Sequence, residues 1–281
     1  MSAVSSSDVI LATGDAPWKV AVTPFRVMDQ IYYIGNVWVG AYLIDTGEGL
    51  ILLDTMCAET TYLMVDAIYR LGYRPEQIRY ILLSHAHIDH VGGAQMLKQL
   101  TGAKVFLSAE DDEFRHNEQA LHAEAAMPAD VFFRDYPYEV DCHYDDRKPI
   151  ELGNVRIDTR LTPGHTPGVT TFLIHVRKED GSEVTAAMHG GVGVLTMSDA
   201  YFAQAGIPSC LRDRFIADCE DMANLKVDVC LPSHPAHYPG DFFELSKSLH
   251  KDPDALVDYT AWRRFLTDRA AMARKLAEKK T

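Results

Sequence analysis

Three histidines and one aspartate fall within six positions of this chain, in Ser84-His85-Ala86-His87-Ile88-Asp89-His90. The apolar run Ile78–Leu83 precedes them and reads as a buried strand, and a helical pattern follows to about Leu100. In extended backbone, side chains at i and i+2 project to one side, so His85 and His87 can chelate one ion. Asp89 and His90 fall at the expected helix start and can turn toward a second. Imidazole with carboxylate suits zinc and, less selectively, iron or manganese. Two more histidines sit in loops that follow strands: His165 in Thr162-Pro-Gly-His-Thr-Pro-Gly and His234 in Leu231-Pro-Ser-His-Pro. Strand ends are where α/β architectures gather their chemistry.

The elements needed to position these groups are legible around them. Ile31–Gly35, Val39–Ile44 and Leu50–Asp54 read as short strands separated by turn residues such as Asp45-Thr-Gly-Glu-Gly. A helix is expected over Glu59–Leu71, where Met64, Val65, Ile68 and Leu71 recur at helical spacing and Gly72 provides the stop. Strands are expected at Lys104–Ser108, Val155–Leu161, Thr170–Val176, Glu183–Met188 and Val227–Leu231, with a helix over Arg212–Leu225. Residues 109–148 are polar and read as part helix, part long loop. Residues 1–17 are small and polar and are expected to form a loose arm. Residues 18–281 read as one mixed α/β domain, closed by a docking helix over Asp258–Leu276 with Trp262, Phe265, Leu266, Met272 and Leu276 on one face.

Composition narrows the function. The chain has 281 residues, 47% of them hydrophobic and 24% charged, the balance of a globular protein. Lys plus Arg number 27 and Asp plus Glu number 40, so the net charge is −13, which repels phosphate backbones; nucleic acid is not an expected partner. The longest apolar run, Gly49–Leu53, is far too short to span a bilayer, so no membrane partner is expected. Five cysteines without a CxxC pair suggest reduced thiols with at most one disulfide. The chain as given is expected in the cytoplasm, or in the periplasm or outside the cell if a leader was removed. No sequence pattern sets an oligomeric state.

His85, His87, Asp89 and His90 match the HxHxDH motif of the metallo-β-lactamase superfamily, and His165 and His234 match its next two ligand positions. The chain resembles that superfamily over about residues 17–245. Its opening, from Ala16-Pro-Trp through Thr23-Pro-Phe-Arg-Val to Ile31-Tyr-Tyr-Ile-Gly, is similar to the third subclass of metallo-β-lactamases. The resemblance implies an αββα sandwich of two mixed sheets flanked by helices. It also implies two zinc ions per chain, the first held by His85, His87 and His165 and the second by Asp89, His90 and His234. Asp54 matches an acid that orients a ligand, although an Asp there equally suits a helix N-cap.

One departure stands out. Many superfamily hydrolases place a metal-bridging carboxylate after a strand, where this chain has Ala187-Met-His-Gly-Gly-Val192. Val192 at that position implies a weaker second metal site. It counts against a glyoxalase-type thioesterase or a typical acyl-homoserine lactonase. His189 beside the gap reads either as a supporting or substrate-contacting residue or as a packed strand-end histidine. The implied activity is a metal-bound hydroxide opening a small-molecule amide ring, with Asp89 aligning or shuttling the proton. The alternatives are a lactonase, esterase or thioesterase, and a non-catalytic metal-binding protein. Substrate contacts are expected from Asn36-Val-Trp38, from residues 116–138 including Phe132 and Phe133, and from His237 and Tyr238; Trp38, Phe132 and Phe133 could form an apolar wall but read first as core.

Overall fold

The computed structural model describes residues 6–125, 137–178 and 181–278, so Phe132 and Phe133 lie outside the described residues. One sheet has seven strands in sequential order: β1 (Phe25–Met28), β2 (Ile31–Tyr33), β3 (Tyr42–Asp45), β4 (Leu50–Leu53), β5 (Ile78–Leu82), β6 (Lys104–Leu107) and β7 (Cys142–His143). The first four pair antiparallel as hairpins, and β4 through β7 run parallel. The second sheet is formed by β8 (Ile150–Leu152), β9 (Val155–Leu161), β10 (Thr170–Arg177), β11 (Glu183–His189) and β12 (Val229–Cys230) in the order β12-β11-β10-β9-β8. Only the β11–β12 pair in this sheet is parallel.

Strand alternation divides the core. Tyr42, Ile44, Ile51 and Leu53 face the second sheet and pack with Phe172, Ile174 and Met188. Their neighbours Leu43, Leu50 and Leu52 face the other way, onto Met64 and Ile68 of α2 (Thr61–Arg70) and Leu97 of α4 (Ala94–Thr101). Both faces of β4 are therefore apolar, as expected of a buried strand in the parallel part of a sheet. Between these helices lies the short α3 (Ile88–Val91). The second sheet is covered by the helices Cys210–Met222 and Ala261–Glu278, where Trp262 is buried and its Nε1–H donates to the Met222 carbonyl at 2.9 Å. Two sheets within two helical layers match the expected sandwich.

Three local expectations change. Ser6–Asp15 form a helix, α1, instead of a loose arm, with Thr13 buried and its hydroxyl donating to the Val9 carbonyl at 3.0 Å. The strand expected from Val39 begins at Tyr42. Asn36 Oδ1 accepts the N–H of both Trp38 and Val39 at 2.8 Å, and Gly40 N–H donates to the Ser233 carbonyl at 2.7 Å, so these groups are taken by a loop. Two glycines interrupt the helix expected after His90: a Cβ on Gly92 would meet Ala58 N at 2.6 Å, and one on Gly93 would meet the Thr55 carbonyl oxygen at 2.6 Å. All five cysteines are free. Among the described residues, no helix is long and apolar enough to cross a membrane.

Candidate metal centre

The ends of β4, β5, β9 and β12 open onto one rim of the sandwich. Asp54 follows β4, Ser84 to His90 follow β5, His165 follows β9 and His234 follows β12. His87 stands in extended backbone at the N-cap of α3, and Asp89 and His90 lie in its first turn, so the motif changes from strand to helix partway through its ligands.

The six side chains meet as two triads. In the first, His85 Nε2 lies 3.1 Å from His87 Nδ1, which lies 2.9 Å from His165 Nε2. In the second, His90 Nε2 lies 3.2 Å from His234 Nε2 and 3.5 Å from Asp89 Oδ2, and His234 Nε2 lies 3.4 Å from Asp89 Oδ2. Ligands 2.0–2.1 Å from a tetrahedral zinc stand about 3.3 Å apart, so both triads have the spacing of a coordination shell. The two adjoin, for the His85 and His90 ring centroids are 4.2 Å apart and His85, Asp89 and His90 offer atoms within 4.8 Å of one another.

Proton placement supports the same reading. Asp54 Oδ2 accepts His90 Nδ1–H at 2.7 Å. Ser84 Oγ–H also donates to Asp54, at 2.7 Å, which leaves that oxygen to accept His85 Nδ1–H at 3.0 Å. His165 Nδ1–H donates to the Gly193 carbonyl at 2.8 Å, and His234 Nδ1–H to the Trp38 carbonyl at 2.8 Å. With Nδ1 committed as a donor in these four histidines, their Nε2 atoms keep their lone pairs and face the cluster, whereas His87 turns its Nδ1 inward. Burial, reinforced by neighbouring imidazoles, holds His85 and His165 well below the usual histidine range, and burial brings His234 down to about 4. Burial opposes ionisation of Asp89, but His90 and His234 outweigh it and hold the carboxyl low. His85, His165 and His234 held neutral beside the ionised Asp89 are donors of the kind a divalent ion requires, while Asp89 and Asp54 raise His90 against its burial.

Asp54 does not cap a helix. The next helical turn begins at Ala58, whose N-cap is Cys57, while the Asp54 carboxylate is spent on Ser84 and His90. It has φ +58°, a left-handed conformation sparsely used by non-glycine residues, held in place beneath the cluster.

The remaining expected residues divide. The Trp38 ring centroid lies 5.9 Å from that of His234 and His237 lies 5.2 Å from it, so both stand beside the second triad. His189 and Tyr238 do not. His189 is fully buried with its ring against Phe215, and burial lowers it to about 3; it is the packed strand-end histidine. Tyr238 is buried against Phe242 in the core. Val192 is buried in the core, and the glycines on either side of it abut His165. A Cβ on Gly191 would lie 2.7 Å from His165 Cδ2, and one on Gly193 2.7 Å from His165 Cε1. The stretch where a bridging carboxylate was sought thus packs its backbone against a histidine. Ser84 and Thr196 join the site without having been expected there; the Thr196 hydroxyl lies 2.6 Å from His165 Nδ1 and donates to the His165 carbonyl at 3.0 Å. Adjacency to the motif pointed to Ser84, but no local pattern marked Thr196.

Known proteins share this architecture. The subclass B3 metallo-β-lactamase BJP-1 of Bradyrhizobium japonicum superposes with a TM-score of 0.78 at 25% identity, covering 94% of this chain and 97% of that one. An N-acyl homoserine lactonase of a Bacillus species is 29% identical over 181 residues, 56% of this chain and 63% of the relative. The hydroxyacylglutathione hydrolase GloC of Haemophilus influenzae is 31% identical over 113 residues, 40% of this chain and 51% of the relative. Those alignments therefore span less than two thirds of either relative's length. The family model described as the metallo-beta-lactamase superfamily matches residues 39–234, a stretch that runs from the Trp38 loop to the last histidine of the second triad, and the chain belongs to that superfamily.

Proposed function

We propose that this protein is a two-zinc hydrolase that opens a small-molecule cyclic amide, in the manner of a β-lactamase. The observation that carries the reading is the pair of adjoining triads, with four Nδ1 atoms committed as donors and Nε2 lone pairs turned inward. His85, His87 and His165 would hold one ion, and Asp89, His90 and His234 the other. When bound, such ions supply Lewis acidity and bring a water's pKa down to about 7.

The chain's own residues do the rest. Asp89, kept ionised by His90 and His234, turns Oδ2 to the triad and leaves its other carboxylate oxygen to align and accept the proton of the attacking water. Asp54 holds His90 directly and His85 through the Ser84 hydroxyl, so one carboxylate orients a ligand in each triad. Trp38 and the exposed Leu195, next to Thr196, supply apolar surface for a substrate body beside the two triads. Likeness to the subclass B3 enzyme over nearly the whole chain favours the amide ring as substrate. The lactonase relative supports a second reading, hydrolysis of a cyclic ester with the same machinery.

Metal content together with a panel of a cephalosporin, a homoserine lactone and a thioester tests both readings. Two zinc ions per chain with cephalosporin turnover supports the first. Preferential lactone turnover selects the second. A fully loaded protein that hydrolyses none of the three leaves a non-catalytic metal-binding role.

A further inference from the structure

The loop with His85 and His87 leaves the seven-stranded sheet and the loop with His165 leaves the five-stranded one, yet both close on one side chain. Asp111, in the first turn of α5 (Ala109–Phe114), is fully buried. Its Oδ2 accepts the N–H of Ala86 at 2.8 Å and the hydroxyl of Thr166 at 2.7 Å, and its Oδ1 accepts the N–H of Gly168 at 2.6 Å. Ala86 is the residue between His85 and His87, and Thr166 follows His165.

A second clasp lies beside the first. Ser108 Oγ donates to the Gly168 carbonyl at 2.7 Å and accepts Asp111 N–H at 3.2 Å as the N-cap of α5. Gly168 is the only residue this approach admits, because a Cβ there would lie 2.1 Å from Ser108 Oγ and 2.6 Å from Asp111 Cγ. Burial pushes the Asp111 carboxyl up to about 6, against the pull of its three donors. All three donors are neutral. Burying an acid at such a place is unfavourable unless its hydrogen bonds recover the cost. The gain here is one fixed separation between two loops.

We propose that Asp111 is a positioning residue for the His85–His87–His165 triad: by binding Ala86, Thr166 and Gly168 together it sets the distance at which three imidazoles from two sheets present their nitrogens, while touching neither metal nor substrate. The proposal rests on the reading that these histidines hold an ion.

The test uses the intact protein, loaded with cobalt(II) as a spectroscopic probe and titrated against a zinc chelator. Asp111→Asn keeps the shape of the side chain but presents an amide N–H to donors. The expected result is a fall of about 10- to 100-fold in affinity at the three-histidine half, with an altered cobalt absorption band, while far-UV circular dichroism is unchanged. Asp112→Asn is the control, because Asp112, on the same short helix as Asp111, binds His143 and Arg115 and neither metal loop. It is expected to leave affinity and band as in wild type. If Asp111→Asn does not fold, Thr166→Val removes one of the three donors, and roughly a 5-fold weakening of the same ion is expected. Wild-type affinity and an unshifted band in a folded Asp111→Asn, or equal losses in Asp111→Asn and Asp112→Asn, overturn the proposal. Wild-type protein that takes up no cobalt overturns the metal reading and this role together, and is recognised because it needs no variant.

Discussion

The two triads both turn imidazole nitrogens to the centre but are supported by different chemistry. Around His85, His87 and His165 the contacts on the rings are two hydroxyls, a backbone carbonyl and the packing of Gly191 and Gly193, with Asp111 binding the backbone and Thr166 of the loops rather than a ring. Around Asp89, His90 and His234 the supports include charge: Asp54 accepts directly from His90, and Asp89 belongs to the triad itself. A carboxylate behind a ligating imidazole raises its basicity, whereas a hydroxyl or carbonyl mainly fixes its orientation. The first half therefore depends on geometry and the second on electrostatics. His90 shows the difference. It is as buried as His85, but Asp89 and Asp54 overcome the burial and raise it, while His85 is driven down.

The largest expected effect erases the comparison. Exhaustive chelation should strip the ions proposed for the two triads, and turnover of any substrate in the panel should fall to background and return on adding zinc. Activity that survives chelation, in protein shown to be free of metal, would sink the hydrolase reading of both halves.

Asp54→Asn breaks the electrostatic half. Asparagine tolerates the left-handed backbone at φ +58°, so the change removes charge without adding strain. The second ion should weaken by about 10- to 100-fold and the first by less, because His85 reaches Asp54 only through Ser84. Sequential metal titration by calorimetry reads the two steps. Equal weakening at both steps would show that Asp54 does not distinguish the halves.

Gly193→Ala breaks the geometric half. The added methyl would stand 2.7 Å from His165 Cε1, and that ring cannot swing aside without leaving the Gly193 carbonyl. The first ion should weaken by about 10-fold while the second holds. An unchanged first step would mean that the loop gives way and the ring does not.

How much of this was legible depended on how far apart in the chain the partners lie. His85 to His90 are near neighbours, so their types and spacing carry the motif without a fold. The strands at Val155–Leu161, Thr170–Arg177 and Glu183–His189 show their alternation locally and fall where expected. Asp54 was ambiguous because a cap and a ligand support look alike until Ser84, 30 positions away, and His90, 36 away, are brought to it. Asp111 carried no signal at all. It is one of four consecutive acidic residues, Glu110–Glu113, and what singles it out is contact with Ala86 and Thr166, 25 and 55 positions away. Tyr238 was misjudged for the converse reason: nearness to His234 in sequence suggested the site, whereas the turn at Pro235–His237 sends its ring into the core.

The smallest effect separates the metal halves from the frame beneath them. Acid protonates histidine ligands and would release both ions, so loss of activity below neutral pH is expected from the site alone. His189 would add a loss of fold. It belongs to neither triad, is fully buried, and burial lowers it from 6.5 to about 3. Between those values the unfolded chain binds a proton that the folded one refuses, so stability falls as pH drops through 6.5 and continues to fall toward 3. His189→Leu removes that titration and keeps an apolar neighbour for Phe215. In metal-free protein, the drop in Tm between pH 7 and pH 5 should be a few degrees smaller for the variant than for wild type. Equal drops would place the acid sensitivity in the ligand histidines themselves, with the frame beneath both halves indifferent to pH.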